Sequence, residues 1–211
     1  MAYDRAMDRR AAIAAVRLGF AGLACLAIAA QLVDLAIAGT LNPVDFVSSL
    51  RIQSSLIAVI VLGTAAASWR RGGGASIDLL RGAATVYVAV AAVVFPLLFG
   101  PDPDPGIAWA DVVLRGVLPA AVIADWLAVP PLTGISFRRS LAWFAYPVLW
   151  VSFTMLRGPA VGWYPVPALD PAGGGDVMVA ASVAAIFVSS FAMCLMVSAL
   201  SRRPRWRSSA R

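Results

Sequence analysis

Residues 82–99 read GAATVYVAVAAVVFPLLF, a run without any charged side chain that decides the fold class. A helix rises ~1.5 Å per residue, so a run of about 18 residues spans most of the ~30 Å hydrocarbon layer of a bilayer. Hydrophobic residues make up 61% of the 211-residue chain and charged residues 13%, about half the ~25% charged content of soluble domains. The composition therefore predicts an integral membrane protein and argues against a soluble enzyme, a disordered chain and a disulfide scaffold.

Six hydrophobic stretches divide the chain into candidate transmembrane helices. They leave only short connections that are rich in glycine and proline, as at 70–74, 101–106 and 171–175, so no room remains for a separate soluble domain. We therefore predict an all-α polytopic membrane protein, a single bundle of six transmembrane helices over residues 1–211. The predicted helices cover about 11–38, 47–69, 82–100, 109–130, 140–157 and 177–201.

The positions of the arginines predict how this bundle is oriented. Cytoplasmic segments of membrane proteins carry an excess of positive side chains. If both termini are cytoplasmic, 14 of the 17 arginines fall on that side, and only Arg51, Arg115 and Arg157 fall on the outer side. The sequence thus predicts a multi-pass protein of the inner (plasma) membrane with its N and C termini inside the cell.

A cleaved secretory signal is the alternative for the first helix. The chain starts with a basic segment and a hydrophobic run, and residues 36–38 (AIA) resemble a cleavage site before Gly39. The apolar run is long for a signal core, and Asp34 lies just before the cleavage site. We therefore favour an uncleaved first span.

Residue usage limits the chemistry of the chain. Every basic residue is arginine, every acidic residue is aspartate, and histidine is absent, which removes the usual general base and an imidazole metal ligand. We predict no metal and no cofactor. Cys25 and Cys194 lie in hydrophobic stretches, which favours two small core residues over a disulfide. The net charge of +6 does not predict a nucleic-acid partner, because the arginines alternate with apolar runs instead of forming one basic surface.

The three outer arginines are the candidate functional residues. A charged group inside a membrane span costs roughly 2.5–3.5 kcal/mol at the centre, so it normally faces a partner or a wet cavity. Asp111 precedes Arg115 by four residues and shares its helical face. Asp34 and Asp45 lie near the outer side, and Ser48, Arg51 and Ser55 fall on one stripe of the second predicted helix. The structural ion-pair candidates are Asp34, Asp45 and Asp111.

Three interpretations of this polar group stay open. The arginines and aspartates could form a structural network that ties the helix ends together. They could instead form an anion site, in which guanidinium groups bind a carboxylate or phosphate head while an acyl chain lies among the helices. A third possibility is ester hydrolysis through Ser54 or Ser55, which would need an unusual neighbouring base.

Several short patterns occur in one order along the chain and resemble the Pr6Pr family of bacterial membrane proteins. The most specific is RG at 157–158 followed by GWYP at 162–165 and LD at 169–170, which looks like the family's RG...GWYPYPFLD connector. The IQS at 52–54 also fits. The resemblance covers the chain from about Leu50 to the end of the sixth predicted helix, and it implies a six-helix membrane bundle.

The family is related to the eukaryotic androgen-induced and androgen-dependent proteins, threonine-dependent intramembrane hydrolases of fatty acid esters of hydroxy fatty acids. Their threonine lies in a pattern like FTIQSN, whereas LRIQSS here puts Arg51 at that position. In VVLRGVLP, Arg115 stands where their histidine belongs. Arginine, with a pKa above ~12, neither attacks an ester nor accepts a proton. The resemblance therefore implies that the family mechanism is lost.

We expect non-catalytic binding of a membrane lipid or acyl amphiphile in an outward-facing pocket, with the oligomeric state left open. The alternatives are a hydrolase with another nucleophile and a purely structural Arg–Asp network. The residues expected to line the pocket are Arg51, Gln53, Ser54, Ser55, Asp111, Arg115, Arg157, Trp163, Tyr164 and Asp170.

Overall fold

The computed structural model describes residues 2–68, 74–100 and 106–202, with side chains from Met7 onward. No strand occurs within these ranges, so the all-α fold class is confirmed. The predicted turns at 70–73 and 101–105, Trp69 and the basic tail after Arg202 lie outside the described residues. The α-helices are α1 (Ala2–Ile37), α2 (Pro43–Ser48), α3 (Leu50–Ala67), α4 (Ala75–Ala89), α5 (Phe95–Phe99), α6 (Ala108–Val112), α7 (Leu118–Ala128), α8 (Phe137–Ser140), α9 (Ala145–Val161) and α10 (Pro171–Ser201).

Three of these helices continue into the next one through a short segment of different pitch. The π-helical turns Val90–Val94 and Val113–Val117 join α4 to α5 and α6 to α7. The 3₁₀ turn Leu141–Phe144 joins α8 to α9. A further 3₁₀ turn, Pro167–Leu169, lies in the connector before α10.

Four described helical segments are long and apolar enough to cross a membrane. Each contains an 18-residue window with a mean hydropathy of at least 1.7. The segments are Met7–Ile37, Leu50–Ala67, Ala75–Phe99 and Pro171–Ser201.

The second predicted helix is divided near its start. Ser49 has an extended backbone, with φ −60° and ψ 128°, and separates α2 from α3. The side chain of Asn42 caps α2 by accepting hydrogen bonds from the backbone N–H groups of Val44 and Asp45. Ser48 therefore lies on a different helix from Arg51, and the expected stripe of Ser48, Arg51 and Ser55 does not form.

Three helices begin earlier than the hydrophobic runs predict, and one of them is α1, which begins at Ala2 and not at about residue 11. The helix expected from residue 82 begins at Ala75, because Asp78 and Arg81 bond to each other at 3.0 Å inside the protein instead of facing solvent. The helix expected from residue 177 begins at Pro171. It contains a kink at Gly175, whose φ of 73° suits a residue without a Cβ.

The buried side chains form two hydrophobic clusters. One joins α4, α9 and α10 around Val86, Trp150 and Ile186. The other joins α1, α3 and the α6–α7 segment, with Ala24 against larger side chains that include Leu114. The small buried alanines of α1 let its backbone approach α3 closely, and this packing brings α1 beside the helix that carries Asp111 and Asp125.

Candidate functional site

Arg51 and Arg115 meet on one carboxylate. Arg51 Nη1 donates to Asp111 Oδ1 at 2.5 Å, and Arg115 Nε donates to the same oxygen. The contact joins α3 to the α6–α7 segment, and the three side chains are about one fifth exposed. We call these three residues the Asp111 triad.

The space beside the Asp111 triad is small. Arg51, Ser54, Leu114, Arg115 and Pro119 border a cavity of about 10 Å³. A cavity of that size holds about one water molecule. The triad is therefore brought together as expected, but the described cavity beside it does not have room for an acyl chain.

Arg157 belongs to a different contact. Its Nη2 donates to Asp45 Oδ1 on α2, and its guanidinium lies over the Trp163 ring, 5.5 Å from the ring centre. A Cβ added at Gly158 would lie 2.1 Å from the ring of Tyr164. The RG and GWY residues therefore fold the end of α9 onto its own connector, and this contact accounts physically for the glycine.

The remaining predicted site residues have structural contacts. Gln53 Oε1 accepts a hydrogen bond from the Tyr146 hydroxyl at 2.9 Å. Asp170 caps α10 by accepting from the backbone N–H of Ala172 at 2.9 Å. Asp34, expected as an ion-pair partner, is exposed at the end of α1 and joins no ion pair among the described residues.

The two candidate serine nucleophiles are buried in α3. Ser54 and Ser55 are each 2% exposed, and the Ser54 hydroxyl donates to the backbone carbonyl of Arg51 at 3.1 Å. Within the described ranges, no carboxylate is hydrogen-bonded to either hydroxyl. A serine needs an adjacent base to attack an ester, so the arrangement does not activate either residue.

A second ionic cluster lies at the end of the bundle that carries the N terminus. Asp125 accepts from Arg17 through both oxygens, at 2.8 and 3.2 Å, and from Arg81 Nε at 3.0 Å. Arg81, only 5% exposed, also donates to Asp78 at 3.0 Å and to the backbone carbonyl of Val129 at 2.7 Å. We call Arg17, Asp78, Arg81 and Asp125 the Asp125 network.

The Asp125 network is not predicted by the sequence. Arg17 and Arg81 are two of the 14 arginines that indicate the cytoplasmic side, and no sequence pattern pairs either of them with Asp125. One signal was present: a carboxylate inside an apolar span needs a cation. The sequence did not say which of the many arginines supplies it.

A large cleft opens between α1 and α7 beside this network. Its volume is about 700 Å³, within the 300–1,000 Å³ range of small-molecule sites. The walls are mainly apolar, with Phe20 on α1 and a row of alanines on α7, and Leu62 of α3 also lines the cleft. Arg9, Arg17 and Asp125 are its charged lining residues. We call it the α1/α7 cleft.

The described residues offer no evident metal centre, since no three acidic or cysteine side chains among them converge as metal ligands would. The candidate sites are therefore the Asp111 triad, with a water-sized cavity, and the α1/α7 cleft, which has the volume of a small-molecule site. Their interpretation depends on the chain itself, because no family model, curated protein or solved structure matches it.

Proposed function

We propose that the protein crosses the membrane six times. The four long apolar helices supply four spans. The fifth is the run from α6 to α7, which keeps helical dihedral angles through its π-helical turn and extends roughly 30 Å at ~1.5 Å per residue. The run from α8 to α9 supplies the sixth. The Pr6Pr resemblance supports the same number.

The orientation we propose has both termini in the cytoplasm. Exposed arginines occur at two places. Arg9 and Arg10 lie near the start of α1, and Arg138 and Arg139 lie at the start of α8. The backbone N–H of Ile135, just before α8, donates to Ser201 Oγ at the end of α10. The start of α8 and the C-terminal end of α10 therefore lie at the same end of the bundle, as the positive-inside rule requires.

Thiol labelling of intact cells tests this orientation. Thr40→Cys and Ser136→Cys, both at exposed positions, are introduced separately after Cys25 and Cys194 have been replaced by serine. A membrane-impermeant maleimide should label position 40 and should label position 136 only after the cells are opened. The reverse pattern would overturn the orientation.

The function we propose is binding of an anionic acyl amphiphile without hydrolysis. The observation that carries it is the α1/α7 cleft, which combines a volume of about 700 Å³, apolar walls and arginine side chains. The Asp111 triad supports the absence of turnover, because both positions that carry the reacting pair in the resembled hydrolases hold guanidinium groups bound to Asp111. In this proposal the triad is a structural tie between α3 and the α6–α7 segment.

A cross-linking assay and an ester assay test the function together. The purified protein in detergent is irradiated with a diazirine derivative of palmitate, with and without excess palmitate. We expect labelling that palmitate competes and no release of dye from a fluorogenic acyl ester. Labelling without competition would overturn the proposal. Ester turnover that disappears in Ser54→Ala would establish the hydrolase alternative instead.

A further inference from the structure

The α1/α7 cleft is about as long, measured along the helices, as one leaflet of the hydrocarbon layer is thick. Its wall on α1 runs from Arg9 to Phe20, and its opposite wall runs along α7 and the residue at each end of it, from Val117 to Val129. At ~1.5 Å per residue these walls are about 16 to 18 Å long, close to half of the ~30 Å hydrocarbon layer. The cleft therefore fits one acyl chain that ends near the middle of the membrane.

The cleft has a polar end and an apolar end. Arg9 is exposed at the end nearest the chain terminus, whereas Phe20, Leu62 and Val117 line the far end. Arg17 and Asp125 line the wall between the two ends, but they are bound to each other, and Asp125 is also bound by Arg81, so neither presents an unpaired charge to the cleft. This distribution complements an amphiphile with an anionic head at Arg9 and a hydrocarbon tail directed inward.

The cleft is open at its side. Val16 on α1 is 57% exposed, and Ala12, Ala120 and Ala124 along the two edges are also exposed. Within the proposed membrane span these edges face the hydrocarbon layer. A ligand would enter sideways from the bilayer, and a second acyl chain could remain among the surrounding lipids.

We propose that the α1/α7 cleft binds one acyl chain of an anionic phospholipid from the cytoplasmic leaflet, with the phosphate beside Arg9. The inference rests on the proposed function and identifies its ligand and its place. Anionic lipids are attracted to basic residues at the cytoplasmic surface by about 1 kcal/mol per arginine, equivalent to about fivefold in affinity. The lateral opening favours a resident of the membrane over a water-soluble anion.

Two matched pairs of variants test the inference by native mass spectrometry of the purified protein with added phosphatidylglycerol or phosphatidylcholine. Ala12→Phe fills the cleft, whereas Ala15→Phe adds the same bulk at an exposed position of α1 that does not line it. Arg9→Gln removes the charge at the rim, and Arg10→Gln removes an exposed charge outside the lining. We expect about fivefold weaker phosphatidylglycerol binding for Arg9→Gln than for Arg10→Gln, and weaker binding for Ala12→Phe than for Ala15→Phe.

The outcomes separate this inference from the proposed function. Equal phosphatidylglycerol binding by Ala12→Phe and Ala15→Phe, with palmitate labelling intact, would show that the α1/α7 cleft is not the phospholipid site. The proposed binding of an acyl amphiphile would still stand. Equal binding of the two lipids by the wild type would overturn the phosphate assignment. A photoreactive phosphatidylglycerol mapped on the wild type gives a test that does not depend on variant folding. Cross-links within 9–20 and 117–129 support the site, and cross-links confined to other helices overturn it.

Discussion

Asp125 holds two guanidinium groups while its side chain is only 13% exposed. Asp125→Asn would leave Arg17 and Arg81 without their shared counter-charge. Removing one member of a buried ionic cluster costs about 3–5 kcal/mol, so we expect a large fall in thermal stability measured by fluorescence-detected size exclusion. Asp34→Asn, at an exposed position with no described ion pair, is the control. Similar melting temperatures for the two variants would contradict the structural role of Asp125.

At Gly158, one added carbon atom should lower the stability of the protein. Gly158→Ala places a Cβ 2.1 Å from the Tyr164 ring, and such overpacking costs about 1–3 kcal/mol. Gly116→Ala is the matched control, because no described atom beyond the neighbouring residues and backbone of its own helix lies within 4 Å of its added Cβ. We expect a lower midpoint of thermal unfolding for Gly158→Ala only. An equal midpoint would show that the connector relaxes at no cost.

Single residues also show where sequence reasoning succeeds and where it stops. Asp111 and Arg115 are four positions apart on one helix, so their pairing follows from local geometry. Arg17 and Asp125 are separated by 108 positions, and no local rule joins them. The sequence marks Arg51, Arg115 and Arg157 as unusual, but the choice of partners depends on how the helices pack.

At the scale of the helices, hydrophobic runs predict the elements well and their ends poorly. The first, second and sixth predicted helices correspond to α1, α3 and α10 in the structure. The predicted start of α4 at residue 82 differs from the observed start at Ala75, because the hydrophobic run begins only after the charged residues Asp78 and Arg81. Their mutual ion pair lets both residues occupy a buried helical turn, and hydropathy contains no information on such pairing.

The orientation of α1 about its axis is a feature that its apolar sequence does not specify. Ala24 is fully buried in the hydrophobic cluster that α1 forms with α3 and the α6–α7 segment, whereas Ala29 is exposed on the same helix. Ala24→Leu should overpack this interface and destabilise the protein by about 1–3 kcal/mol, while Ala29→Leu should have little effect. Melting temperatures of the two variants in one detergent measure the difference. Equal destabilisation would contradict the assigned packing face.

At the scale of the whole molecule, cavities depend on differences in packing that the sequence does not reveal. The sequence motifs predict a pocket beside Arg51 and Arg115, but the described cavity there has a volume of about 10 Å³. The cleft of about 700 Å³ lies where alanines on α7 leave a gap beside α1. Alanine is equally compatible with tight helix packing, as Ala24 shows on α1, so the gap follows from the relative positions of the helices.

The two ionic clusters tie the bundle together at separate levels, and we expect their effects on stability to add. Asp111 and Asp125 lie on the continuous run from α6 to α7, about 21 Å apart at ~1.5 Å per residue. Mutations that far apart without shared partners add to within about 0.5 kcal/mol. The free energies of unfolding of Asp111→Asn, Asp125→Asn and the double variant, measured by titration with sodium dodecyl sulfate, form the cycle. A coupling well above that value would mean that the α6–α7 run transmits strain from one cluster to the other, so that the two ends of the bundle form one cooperative unit.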